Sequence, residues 1–211
     1  MRLIHTSLFA AIAALGLTAC NKPADTTPEA TPAAEATAAQ PTAESTPDAP
    51  PAMTSEAHAN QGAAAELAPT KDSTVKGNVT FSVVDGKVHV KGAVSGLKPN
   101  SEHGFHIHEK GDCSAPDGAS AGGHFNPGKE DHGSVAATPH HGGDMPNIKA
   151  DAQGNAVVDA DVSTNVNIGK GDDFDIIGRG LIVHADADDY KTQPTGNAGA
   201  RLACAVIKAA P

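Results

Sequence analysis

Apolar and polar residues alternate along the C-terminal two-thirds of the chain in short runs separated by turn signals. Residues 74–84 (TVKGNVTFSVV) lead into Asp85-Gly86 and then residues 87–97 (KVHVKGAVSGL), the signature of a two-residue β-hairpin. The second run stops at Lys98-Pro99-Asn100. Further β-patterned runs follow at EHGFHIHE (102–109), NAVVDADV (155–162), FDIIGRGLIVHA (174–185) and RLACAVIK (201–208). No run holds a sustained 3.6-residue apolar period, so helices are not expected. The pattern predicts an all-β fold, a Greek-key β-sandwich or barrel of about eight antiparallel strands.

The strand reading assigns faces to the histidines. Side chains two apart on a strand share a face. His106 and His108 then lie together on an outer face, with Phe105 and Ile107 directed into the core. Two imidazoles so held make half of a transition-metal site. His89 shares its face with Lys87 and Lys91 and reads as a solvated position. His103 falls on the face opposite the pair and is not expected to be a ligand. Residues 109–149 carry almost no β pattern, and a loop of that length inside a domain is usually functional. It supplies His124, His132, His140 or His141, and Asp144, the ligand types of a tetrahedral zinc site. His184 stands at the end of the run GLIVHA, where a strand gives way to a loop.

The N-terminal third is built differently. Arg2 precedes an apolar run, Leu8 to Leu17, too short to span a bilayer and shaped like a secretory signal peptide. Leu17-Thr18-Ala19-Cys20 resembles the lipobox of bacterial lipoproteins, which implies lipidation of Cys20. From Asn21 to Ala68 there is no aromatic residue, Val or Ile, and seven Asp or Glu stand against one Lys. Such a stretch, broken repeatedly by proline, reads as a disordered tether. The expected organisation is a signal peptide over 1–19, a lipidated cysteine and tether over 20–68, and one domain over 69–211. The protein is then exported to the cell envelope (periplasm) and touches membrane only through a lipid on Cys20.

From Lys71 onward 13 Lys or Arg face 18 Asp or Glu, a net charge of −5, which argues against nucleic acid as a partner. With Cys20 lipidated, Cys113 and Cys204 remain, and an oxidising compartment would bridge them.

The segments GFHIHEKGDC, GGHFNP, HHGGDMPN, GRGLIVHADADD and GNAGARLACAVI are similar, in order and spacing, to the signature segments of the copper/zinc superoxide dismutases. The resemblance covers residues from about 75 to 208. It implies dismutation of superoxide by copper bridged through a histidine to zinc. By position it makes His106, His108, His124 and His184 the copper ligands. His124, His132, His141 and Asp144 become the zinc ligands, with His124 shared. The family's His-x-x-Asp spacing implies His141 and not its neighbour His140. It also implies that Asp188 hydrogen-bonds ligands of both metals, that Arg201 lies beside the copper channel, and that Cys113 and Cys204 form the disulfide. Lys191 is a further candidate for steering the anion. The resemblance admits a homodimer as well as a monomer. The competing reading is a non-catalytic copper- and zinc-binding lipoprotein of the same fold. It has no use for a bridging histidine or for Arg201 beside the metal.

Overall fold

A computed structural model describes residues 62–211. The expected signal peptide, Cys20 and the tether up to residue 61 lie outside the described residues. Among the described residues ten strands form: β1 Ala63–Pro69, β2 Lys76–Val84, β3 Lys87–Ser95, β4 Glu102–His103, β5 Phe105–His108, β6 Ile148–Lys149, β7 Ala156–Asp161, β8 Gly180–His184, β9 Arg201–Val206 and β10 Lys208–Ala209. Helical structure among the described residues is a single 3-10 turn, Ala119–Ala121.

Eight strands make one antiparallel sheet, ordered β5-β8-β9-β1-β2-β3-β7 with β10 beside β1, and β4 pairs with β6 separately. After β3 the chain leaves the sheet to lay β5 at the far edge, and β7 returns to pair with β3. This crossing is the Greek-key step. Asp85 and Gly86 both have positive φ (49° and 78°), as the predicted hairpin turn requires.

One expected boundary moves. The stretch expected as tether up to Ala68 includes part of a strand: residues 63–69 form β1, paired with β2, β9 and β10. The signal was a weak alternation in which Ala63, Ala65 and Leu67 are buried while Glu66 and Ala68 are exposed. Two alanines and one leucine are too little apolar surface to mark a strand in isolation. The central position between β2 and β9 supplies the rest.

The core gathers residues from one face of most strands and from the loops between them, including Leu67, Phe81, Val90, Phe105, Ile107, Leu181, Val183 and Ile207. The face of β5 that carries His106 and His108 is expected to be outward, but β5 is buried at every position, as is its neighbour β8. Loops cover it. Phe125 and Gly143 pair with the free edge of β5 through Phe125 N–H to Ile107 O (2.9 Å) and Ile107 N–H to Gly143 O (2.9 Å). That pairing seats His124 beside His108 and brings Asp144 to 2.9 Å from His124. At the other end, Ile182 packs with Ala121 and Cys204 in a small apolar cluster under the bond joining Cys113 and Cys204. The disulfide expected from the sequence is present and ties the 109–149 loop to β9.

Candidate metal centre

Seven side chains converge on this covered face, and all are buried: His106, His108, His124, His132, His141, Asp144 and His184. Their ligand atoms fall into two groups that share His124. One joins His106, His108, His124 and His184, and the other joins His124, His132, His141 and Asp144.

Hydrogen bonding decides which nitrogen of each ring is free. His106 Nε2 donates to Asp188 Oδ2 at 2.8 Å, leaving Nδ1 with a lone pair, buried and without a partner. His108 Nδ1 donates to Gly122 O at 2.9 Å and His184 Nδ1 to Gly199 O at 3.3 Å, leaving both Nε2 atoms with lone pairs, 3.3 Å apart. His124 Nε2 is likewise buried and unpartnered. Four nitrogens with lone pairs facing one point repel one another, and a soft cation relieves that repulsion.

In the second group the Nδ1 atoms of His124, His132 and His141 stand 2.9, 3.0 and 3.4 Å from Asp144 Oδ1. His124 and His141 Nδ1 are 3.4 Å apart. Zinc bonds of about 2.0–2.1 Å in a tetrahedron set ligand atoms roughly 3.3 Å apart, so three imidazoles and a carboxylate at these spacings fit zinc. Asp144 is oriented by its second oxygen, which accepts the N–H groups of His141 (2.8 Å) and Gly133 (3.1 Å).

The protonation states follow from burial and charge. Burial, with the neighbouring rings of His124 and His184, pushes His108 well below its ordinary value. Burial outweighs Asp144 and pushes His124 down to about 4, and burial with His106 pushes His184 down to about 3. His108 and His184 are neutral at pH 7 and need lose no proton to bind a metal, whereas His124 would have to release its remaining N–H proton for both of its nitrogens to bind one. His132 goes the other way. Burial opposes its charged form, but hydrogen bonds to Asp144 and Asp188 raise it to about 9. Against the cost of burial, bonds from His124, His132 and His141 hold Asp144 far below the usual carboxylate range.

The family profile described as copper/zinc superoxide dismutase (SODC) matches residues 75–207. The chain belongs to the copper/zinc superoxide dismutase family. Within that family it is 41% identical, over 149 residues, to "Superoxide dismutase [Cu-Zn] 2" of Aquifex aeolicus, covering 69% of this chain and 86% of that protein. It is 42% identical over 158 residues to "Extracellular superoxide dismutase [Cu-Zn]" of Drosophila melanogaster, covering 70% and 84%. The crystal structure of the clock protein EA4 superposes with a TM-score of 0.63 at 40% identity, covering 72% of this chain and 96% of that one.

Around the two groups lie the remaining expected residues. Asp188 reaches His106 with Oδ2 and His132 with Oδ1, at 2.8 and 2.9 Å. Arg201 donates to Gly118 O and Gly122 O, both at 2.6 Å. Gly122 O also accepts from His108 Nδ1, and Arg201 pairs with His184 between β8 and β9, so Arg201 borders the first group. His140 stays outside both groups, bonded to Ala137 O (2.6 Å) and Ser163 Oγ (3.0 Å). His103 is no ligand either, but it is buried and its Nδ1 donates to His184 O at 2.8 Å. His89 is a correction. Expected in solvent, it is held between Asp161 (2.8 Å) and Asp159 (2.7 Å), two residues of β7 that only the pairing of β3 with β7 brings near.

Two residues were missed. Asn147 and Gln193 each grip another residue's backbone with both ends of a side-chain amide. Their partners lie 41 and 61 residues away, so no local sequence signal could have marked them.

Proposed function

We propose that the chain dismutes two superoxide ions, with two protons, to oxygen and hydrogen peroxide. His106 Nδ1 and the Nε2 atoms of His108, His124 and His184 would hold copper. The Nδ1 atoms of His124, His132 and His141, with Asp144 Oδ1, would hold zinc. When bound, copper supplies one-electron cycling and zinc a redox-silent positive charge. The observation that carries this reading is His124, the one ring with a nitrogen in each group. Its Nε2, whenever it is not holding the metal, would take up a proton and give it back, while the opposite nitrogen keeps the ring in place. Asp188 fixes the Nε2–H of His106 and His132, so that the opposite nitrogens stay aimed at the two groups. Arg201 offers a guanidinium to the incoming anion.

We further propose that Cys20 is lipidated after removal of residues 1–19 and that a tether carries the domain in the cell envelope. The relative named as extracellular in Drosophila melanogaster supports export. Replacing Cys20 by Ser should move the mature protein from the detergent phase to the aqueous phase.

The test of activity is superoxide turnover together with copper and zinc content, for the full chain and its His124→Ala variant. Fast turnover at about one copper and one zinc per chain, strongly reduced in the variant, supports the bridged enzyme. Full metal content without turnover would leave a metal-binding protein and overturn the catalytic reading.

A further inference from the structure

The loop over residues 185–200 carries Asp188 and closes over the ligands, and it is joined to the zinc-side loop at two points. Asn147 Nδ2 donates to Asp188 O and Asp188 N–H donates to Asn147 Oδ1, both at 2.9 Å. Gln193 repeats the device in the opposite direction. His132 N–H donates to Gln193 Oε1 and Gln193 Nε2 donates to His132 O, both at 2.9 Å. A primary amide presents one acceptor and two donors side by side, so it can pair with a peptide as a neighbouring strand would. Only one orientation of the Gln193 amide satisfies both bonds.

What makes Gln193 informative is where it sits. Its own residue is exposed, so its apolar burial contributes little to folding. Yet its amide holds both backbone groups of a residue whose ring is wholly buried between Asp144 and Asp188. With the backbone gripped on one side and Nε2 held by Asp188 on the other, the direction of His132 Nδ1 is set at both ends. Gly196 shows how little slack remains: a Cβ there would collide with Asp188 Oδ1, and its φ is +65°.

We propose that Gln193 is a positioning residue for His132 and so sets the affinity of the zinc site. This rests on the reading of His132 as a zinc ligand. Residues that orient metal ligands typically change affinity about 10- to 100-fold when replaced. A backbone clamp belongs at the lower end, since Asp188 still holds the ring. Copper should be affected little, because His132 is absent from the first group.

The experiment is competition for zinc against a chromophoric chelator. It uses the full chain and its Gln193→Met and His132→Ala variants, with copper affinity and metal-free denaturation measured alongside. Methionine keeps the length of the side chain and removes both hydrogen bonds without adding charge. The expected result is a zinc Kd raised roughly tenfold in Gln193→Met. Copper affinity and the metal-free denaturation midpoint should stay as in the wild type. A shift in the absorption of cobalt bound in place of zinc should accompany it. Wild-type zinc affinity in Gln193→Met, with zinc lost in His132→Ala, overturns the clamp alone. A parallel loss of both metals and of metal-free stability means that Gln193 is scaffold, and also overturns it. Unchanged zinc binding in His132→Ala removes the ligand reading and the clamp with it.

Discussion

Asp188 Oδ2 lies 2.8 Å from His106 Nε2, across 82 residues of sequence, and neither side chain has any exposed surface. The same carboxylate holds His132 with its other oxygen. One side chain therefore fixes the tautomer of a ring in each group. Replacing Asp188 by Asn puts an amide N–H against one of two imidazole N–H donors. Zinc affinity should fall about 10- to 100-fold in a chelator competition, while the chain still folds. Unaltered affinity would show that the rings need no such support.

The bond between Cys113 and Cys204 spans 91 residues. In the chain-entropy model a loop of that length stabilises the fold by roughly 4–5 kcal/mol. The double variant Cys113→Ser/Cys204→Ser should lose about 2–5 kcal/mol in denaturant unfolding of the metal-free protein. It should also lose activity, because the loop so tied carries the carbonyls of Gly118 and Gly122 that hold Arg201. Retained activity at reduced stability would uncouple the two roles.

Replacing Arg201 by Ala should lower turnover several-fold and weaken its decline with ionic strength. The domain is acidic, so attraction of an anion depends on the local field and not on net charge, an effect for which this family is itself a standard example. Gly122 O accepts from both Arg201 and His108, which ties the position of the charge to the copper-side ring. The same salt dependence in both proteins would remove Arg201 from steering. Lys191 would then be the next candidate.

His89 should make stability depend on pH. The hydrogen bond to Asp161 raises its pKa, against burial and with help from Asp159. Lys87 and Lys91 flank the two carboxylates. A folded-state value above the unfolded one means that the folded protein binds the proton more tightly. The contribution is complete below about pH 6.5 and is lost as pH rises through the raised value. The gap in urea midpoint between wild type and His89→Gln should therefore be wider at pH 5.5 than at pH 9. Equal gaps would mean that the contacts with Asp159 and Asp161 contribute no pH-dependent stability.

Much of the site was legible in the sequence because metal ligation uses few residue types. His106-x-His108 places two rings on one strand face by the pleat alone, whereas the choice of His141 over His140 came only with the family's His-x-x-Asp spacing. The strand at residues 63–69 was not legible, since alanine alternation is weak until neighbours on both sides supply partners. The burial of His106 and His108 was not legible either: a strand shows which residues share a face, not what covers it.

The sequence by itself determined the all-β pattern, the hairpin at Asp85-Gly86, the cysteine pair and the stock of candidate metal-binding side chains, because each follows from local spacing or side-chain chemistry. The tertiary structure alone decided which nitrogen of each ring is free, where His89 and His140 find their partners, and how Gln193 and Asn147 join two loops. Those outcomes depend on hydrogen bonds between residues far apart in the chain, and direction and distance across such gaps exist only once the sheet has brought them together.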